Sequence, residues 1–344
     1  MGLILQGGGA LGAYEYGAVT RLVELGWEPV AVSGVSIGAV NAAAIAGARD
    51  SIGTSLDWMW REITLHPVPW LANAYQATLS MFGNPNFYRL RTDFWTAQGW
   101  TSLCDISPML ETLDRVCDFD KINDPGQMRF AVTTTDVANG KQVTFSNRLP
   151  ASQTRIERPN HVSKADPIAP KHVMASGSLP PGFPMTEIGG VSYWDGGLFD
   201  NTPIDAFLDL LEDDELDDLP VFVIDLFPSG VPLPRNLIEV QNRMTEISYQ
   251  NRFWAEYGGA GGFSQFASML KKLRLDNPTE ADTSVFKWLS RLRALKNFHI
   301  LVAERAGSTG GMDFSAAGVT QRYDMGRAAV ERHFDEAEMV QAAE

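Results

Sequence analysis

Apolar and polar positions along the first fifty residues fall into two similar units. GLILQ, from Gly2, is a short apolar run that gives way to a glycine cluster. GAYEYGAVTRLVEL follows, with Ala13, Tyr16, Val19, Leu22 and Val23 recurring at helical spacing. The unit predicts strand, loop and helix. EPVAVSG then predicts a second strand, GVSIG a tight turn, and GAVNAAAIAG an alanine-rich helix ending at Gly47. Two strand-to-helix units so close together require a parallel sheet with helices on its faces, since parallel neighbours need a crossover connection.

The pattern changes between Trp58 and Trp100. This stretch is dense in tryptophan and carries Phe82, Phe87, Tyr88 and Phe94, broken by Pro67, Pro69 and Pro85. It is expected to be an insertion, at about 55–103, rather than another strand unit. SPMLETLDRV predicts a helix with Ser107 as its N-cap and Pro108 at the first helical position. MRFAVTTTDV and KQVTFSN, joined through Asn139-Gly140, predict a hairpin. SYWDGG predicts a strand entering a glycine turn, TPIDAFLDLL a helix, and LPVFVIDLF a buried strand. The acidic run EDDELDD between the last two lacks the glycine and alternating ligands of a calcium loop, and reads as a solvated loop. Beyond Pro234 the pattern is mainly helical, and NFHILVAER is a candidate last strand. In VFKWLSRLRALK, Val285, Trp288, Leu289, Leu292 and Leu295 form one stripe, which reads as a core-facing helix with a basic outer face.

Composition narrows the function classes. The chain has 344 residues, 44% of them hydrophobic, enough for one large domain or two modest ones with a real core. With 28 Lys and Arg against 42 Asp and Glu, the net charge of −14 disfavours nucleic acid and anionic membrane as main partners. Cys104 and Cys117 lack zinc-type spacing and read as buried, reduced thiols, which fits a cytoplasmic setting. The apolar run at the start stops after Leu5 with no basic residues ahead of it, so neither a signal peptide nor a membrane span is expected there. The chain opens directly on a strand, leaving room for a segment ahead of it.

The candidate chemistry lies in three short motifs. In QGGGALG, Gly7, Gly9 and Gly12 fit G-x-G-x-x-G between a strand and a helix. A dinucleotide reading, and with it an oxidoreductase, needs an acid closing the second strand to hold a ribose. That strand ends in Val32 and Ser33, with only Glu28 ahead of it. The other reading is an oxyanion hole, in which bare glycine N–H groups at a helix N-terminus face a developing negative oxygen. GVSIG meets the needs of a nucleophile elbow: Gly34 and Gly38 are small enough to let the chain reverse around Ser36, and Ile37 N–H becomes a further donor.

Two arrangements compete for the base. A Ser-Asp-His triad would draw on Asp225 and His299, in the chain order of α/β-hydrolases, whose elbow, however, usually follows several strands rather than the second. The second arrangement uses Asp195 in YWDGGLFDNTP, where Gly196 and Gly197 let another backbone approach closely.

With GGGALG, GVSIG and WDGG in this order, the chain resembles the patatin-like phospholipase family. The resemblance implies a three-layer α/β/α fold with a mostly parallel sheet over about 1–230, followed by a mainly helical extension at 231–344 of unassigned role. It implies hydrolysis of lipid acyl esters by a serine-aspartate dyad without cofactor or metal. Ser36 is then the nucleophile, Asp195 the base, and Gly7, Gly8, Gly9 and Gly12 the glycine loop. Asn201 and Pro203 also sit where such proteins often carry Asn and Pro. Many members have Lys or Arg where this chain has Leu11. The implied partner is a lipid or other acyl ester, and the aromatic insertion is a candidate acyl groove or peripheral membrane contact.

Overall fold

A computed structural model of the chain describes residues 1–66, 79–149, 160–228, 231–250, 290–304 and 310–343, with single positions 269 and 272. At its centre is a nine-stranded sheet. Five parallel strands run side by side: β12 (Phe298–Val302), β11 (Val221–Asp225), β1 (Gly2–Leu5), β2 (Ala31–Gly34) and β6 (Arg129–Asp136). On the far edge of β6 lies β7 (Lys141–Ser146), antiparallel, closing the expected hairpin through Gly140 at φ 61°, with β8 (His161–Ala165) parallel beyond it. β9 (Thr186–Ile188) and β10 (Val191–Asp195) form an antiparallel pair that joins β6. The short strands β3 (Gly83–Asn84), β4 (Tyr88–Leu90) and β5 (Cys104–Asp105) make a separate small sheet within the insertion.

Both faces of the sheet are covered, and strand periodicity decides which residue goes where. Leu3, Leu5, Phe222 and Ile224 point to one layer. Ile4, Val221 and Val223 point to the other. The first layer holds α1 (Ala13–Glu24), α2 (Ile37–Ala46), α3 (Ile52–Ile63), α4 (Ser107–Val116), α5 (Phe119–Asn123) and α6 (Pro170–Ser176). The second holds α7 (Ile204–Leu208), which buries Phe207 against Leu295 and Phe298. The fold is the three-layer α/β/α arrangement expected from the motifs.

Some details differ from the sequence reading. The insertion is not one unit: Trp60, on α3, is fully buried in the main core, while Phe94 and Trp95 stand exposed. Its prolines 67 and 69 and Trp70 lie outside the described residues. Ser107 does not cap α4. The Asp105 carboxylate does so by accepting from the Ser107 N–H at 2.9 Å and its hydroxyl at 2.7 Å. Cys104 and Cys117 are free and buried, and burial pushes the Cys117 thiol up to about 12. Val285, Trp288 and Leu289 lie outside the described residues. α8 (Leu237–Tyr249) precedes that stretch. Among the described residues no helix is long and apolar enough to cross a membrane.

The region after residue 230 is joined to this core. β12 extends the parallel sheet, and α9 (Ala316–Ala343) lies along α1. Two glycines permit the approach: a Cβ on Gly17 would sit 1.9 Å from the Tyr323 carbonyl oxygen, and one on Gly326 would sit 2.0 Å from that of Tyr14. The helices therefore touch backbone to backbone. Gly326→Val is expected to push them apart and lower stability by at least about 2 kcal/mol, measured by urea unfolding. An unchanged midpoint would contradict this packing.

Candidate active site

β6 is longer than β2, and the extra length brings the site together. β2 occupies one edge of β6 from Arg129 to Val132 and stops at Gly34. Above it, β10 runs the opposite way along the same edge, from Asp136 down to Thr134, and stops at Asp195. The other edge is filled by β7. The ends of β2 and β10 thus converge on Thr133, one chain leaving toward Ser36 and the other at Asp195. Ser36 and the buried Asp195 carboxylate lie side by side on the wall of one cavity, near enough that the serine favours the charged form of the acid.

Ser36 has φ 54° and ψ −122°, the single positive φ outside glycine among the described residues. Such a backbone costs roughly 1–3 kcal/mol and persists only where its surroundings enforce it. Here the enforcement is visible. Gly34 and Gly38 are packed so tightly that a Cβ on either would fall 2.3 Å from the Gly38 carbonyl oxygen or 2.5 Å from that of Leu5. The Ser36 N–H donates to Ser176 Oγ at 3.0 Å, and that hydroxyl donates onward to the Thr133 carbonyl at 2.6 Å. Ser176 was not legible as part of the site, because a serine in MASGSLPP has no spacing that ties it to residue 36.

Asp195 is 2% exposed. Its carboxylate accepts from Gly197 N–H at 2.8 Å, and Gly196 lies against the Thr133 carbonyl oxygen, where a Cβ would come within 2.2 Å. Burial pushes its pKa up to about 7, against the neighbouring Ser36 and the Gly197 N–H, which favour the charged form. Asp200 is also pushed up to about 7 by burial, but its carboxylate accepts from Thr202 N–H and does not line the cavity that holds Ser36.

The glycine loop closes the third side. A Cβ on Gly7 would meet Asn201 Oδ1 at 2.5 Å and Ser36 Cβ at 3.0 Å, so the loop rests directly on the serine. Asn201 joins loop and aspartate segment: its Nδ2 donates to the Gly7 carbonyl at 3.1 Å. Gln6, at the end of β1, does the same below, donating to Thr202 Oγ1 at 2.6 Å and accepting from Leu226 N–H at 2.7 Å. Among the described residues, the N–H groups of Gly8 and Ile37 meet no protein acceptor. Gly7, Gly8, Gly9, Ser36, Ile37 and Asp195 all line one cavity of about 290 Å³. Gly12 does not; it is buried where a Cβ would strike Ile37. Away from the serine the lining is mostly apolar, with Phe87, Met109, Val173, Leu179 and Phe183 among it.

The histidine alternative is not assembled. His299 pairs in register with Phe222, three residues short of Asp225 and so about 10 Å below the strand end. Its ring stacks on Phe222, and its Nδ1 lies 3.1 Å from His333 Nε2. Among the described residues no histidine lines the cavity.

A family model described as patatin-like phospholipase matches residues 3–208, more than half of the chain. The chain belongs to the patatin-like phospholipase family, and is a hydrolase of lipid esters. No curated protein matches it in sequence. The crystal structure of VipD from Legionella pneumophila is similar at 16% identity and a TM-score of 0.38, over 96% of this chain and 67% of that one.

The strain at Ser36 gives a stability test. Ser36→Gly removes the side chain that disfavours φ 54°, and the chain is expected to gain about 1 kcal/mol in urea unfolding after the greater unfolded-state freedom of glycine is subtracted. A loss of stability would mean that the serine backbone is not strained.

Proposed function

We propose that the chain cleaves lipid acyl esters through an acyl-enzyme formed on Ser36, with Asp195 as sole general base and the N–H groups of Gly8, Gly9 and Ile37 as the oxyanion hole. The observation that carries this reading is the placement of Ser36, on a strained turn, beside a buried carboxylate and the bare glycine loop in one cavity. As Ser36 Oγ bonds to the acyl carbon, its proton passes to Asp195. The carbonyl electron pair moves to oxygen, which the amide groups face. Collapse expels the alcohol, which takes the proton back from Asp195. Water then repeats the sequence on the acyl-enzyme, freeing the fatty acid and Ser36.

The energetics favour such a pairing. An ordinary carboxylate is a weak base for a serine hydroxyl. Raising it from 3.8 to about 7 narrows that gap by roughly 4 kcal/mol at about 1.4 kcal/mol per pH unit. Each oxyanion donor is typically worth about 3 kcal/mol more. The cavity, about 290 Å³ and mostly apolar away from the serine, suits an acyl chain. Phe94 and Trp95, 70% and 85% exposed, suit a seat on a lipid surface. The net charge of −14 favours a zwitterionic surface over an anionic one.

Ser36→Ala and Asp195→Asn are each expected to lower kcat for p-nitrophenyl esters by about 10³-fold or more, while His299→Ala stays within about twofold. Full loss in His299→Ala would replace the dyad with a triad. The base acts when ionised, so kcat/KM is expected to rise with pH and level off above about 7. From sequence, a carboxylate base predicts no inflection in this range; burial is what moves it there. Because a histidine would titrate nearby, the profile is to be repeated in His299→Ala, where the inflection should persist. A flat profile from pH 5 to 8 would contradict the assignment.

A further inference from the structure

The glycine loop is supported on the side away from Ser36 by a segment the family match does not reach. Gly310–Phe314 crosses the loop, and the two chains meet glycine to glycine. A Cβ on Gly9 would lie 2.3 Å from the Gly311 carbonyl oxygen, and one on Gly311 would lie 2.5 Å from that of Gly8. Gly9 and Gly310 both have φ 58°, so neither chain has side-chain bulk to spare at the crossing. The strap also forms cavity wall, through Gly311, Met312 and Phe314.

What holds the strap is Arg322, on the second turn of α9 and 3% exposed at its side chain. Its Nη1 donates to the Asp313 carbonyl at 2.9 Å and its Nη2 to the Gly310 carbonyl at 3.0 Å, so one guanidinium spans the strap from end to end. The Asp313 carboxylate is 3.8 Å from the same guanidinium and accepts from Ser315 N–H and Oγ, which starts the helix. Beyond it, Leu65 N–H donates to the Phe314 carbonyl at 2.8 Å, and the Phe314 ring packs on Trp60 and Phe87. A buried guanidinium is expensive unless it is hydrogen-bonded, and here both Nη groups bond backbone carbonyls of the strap while Nε meets no acceptor among the described residues. A side chain serving only to anchor α9 would not need to reach the glycine crossing.

We propose that Arg322 is a positioning residue for catalysis: by fixing the strap Gly310–Phe314 it holds the Gly8–Gly9 amides at the reacting oxygen. This rests on the oxyanion reading above. Small displacements suffice, since misplacing catalytic groups by about 1 Å can cost roughly 10²-fold in rate.

The test uses the full chain, p-nitrophenyl butyrate, and a fluorophosphonate probe of Ser36. Arg322→Met and Gly311→Ala are each expected to lower kcat by at least about tenfold with KM within about threefold, because the donors act on the transition state. Arg322→Lys is expected to recover part of the loss. Circular dichroism and Tm identify folded variants, and Gly311→Ala carries the test if Arg322→Met does not fold. Wild-type kcat in folded Gly311→Ala and Arg322→Met would overturn the proposal, as would a rise in KM with kcat unchanged, which would make the strap substrate-binding wall only. Absence of Ser36 labelling in the wild-type chain would instead sink the dyad reading itself.

Discussion

Two strands share one edge of β6, and neither can extend past Thr133 without displacing the other. β2 arrives from below and must leave the sheet at Gly34. β10 arrives from above and must leave at Asp195. Hydrogen-bond geometry therefore brings a serine and an aspartate from distant parts of the chain to adjacent positions without any loop having to be aimed. The Thr133 carbonyl takes part directly, accepting from Ser176, whose oxygen holds the Ser36 N–H. A site built on strand ends is held more firmly than one built on loops, as pre-organised catalysis requires.

Both partners are kept in conditions they would not choose alone. Ser36 sits at a positive φ, and Asp195 is a carboxylate removed from water. What sustains them is the tight packing of small residues around the junction: Gly34 against Gly38, Gly196 against Thr133, Gly7 against Ser36. These glycines are required by close approach, and enlarging any of them would separate Ser36, Asp195 and the glycine loop. The buried aspartate also links stability to pH. Its folded pKa lies above the unfolded value, so the folded state holds a proton that the unfolded state releases, and this group's contribution to stability falls as pH rises from about 4 to about 7.

Much of this was legible in the sequence. The two opening strand-to-helix units, the hairpin through Gly140 and the strand ending at Asp195 follow from local patterning, which tertiary packing here does not override. The three glycine motifs are legible because close backbone approach excludes other residues. The supports were not. Ser176 acts through hydrogen bonds to Ser36 and Thr133, far away in the chain, and Arg322 through two bonds to carbonyls of the preceding loop, and no periodicity encodes such partners. Nor does local patterning mark Gly17 and Gly326 as the residues that let α1 and α9 touch. The boundary expected near residue 230 follows the end of the motifs, while β12 and α9 continue the same sheet and layer.

The central claim is direct contact between the Ser36 hydroxyl and a carboxylate held well above its ordinary pKa. Infrared difference titration of the carboxyl stretch, wild type minus Asp195→Asn, measures that group alone. The expected midpoint is about 7, moving further up in Ser36→Ala because a neighbour that favours the charged form is lost. A midpoint near 4, or one that Ser36→Ala leaves unchanged, would contradict the account.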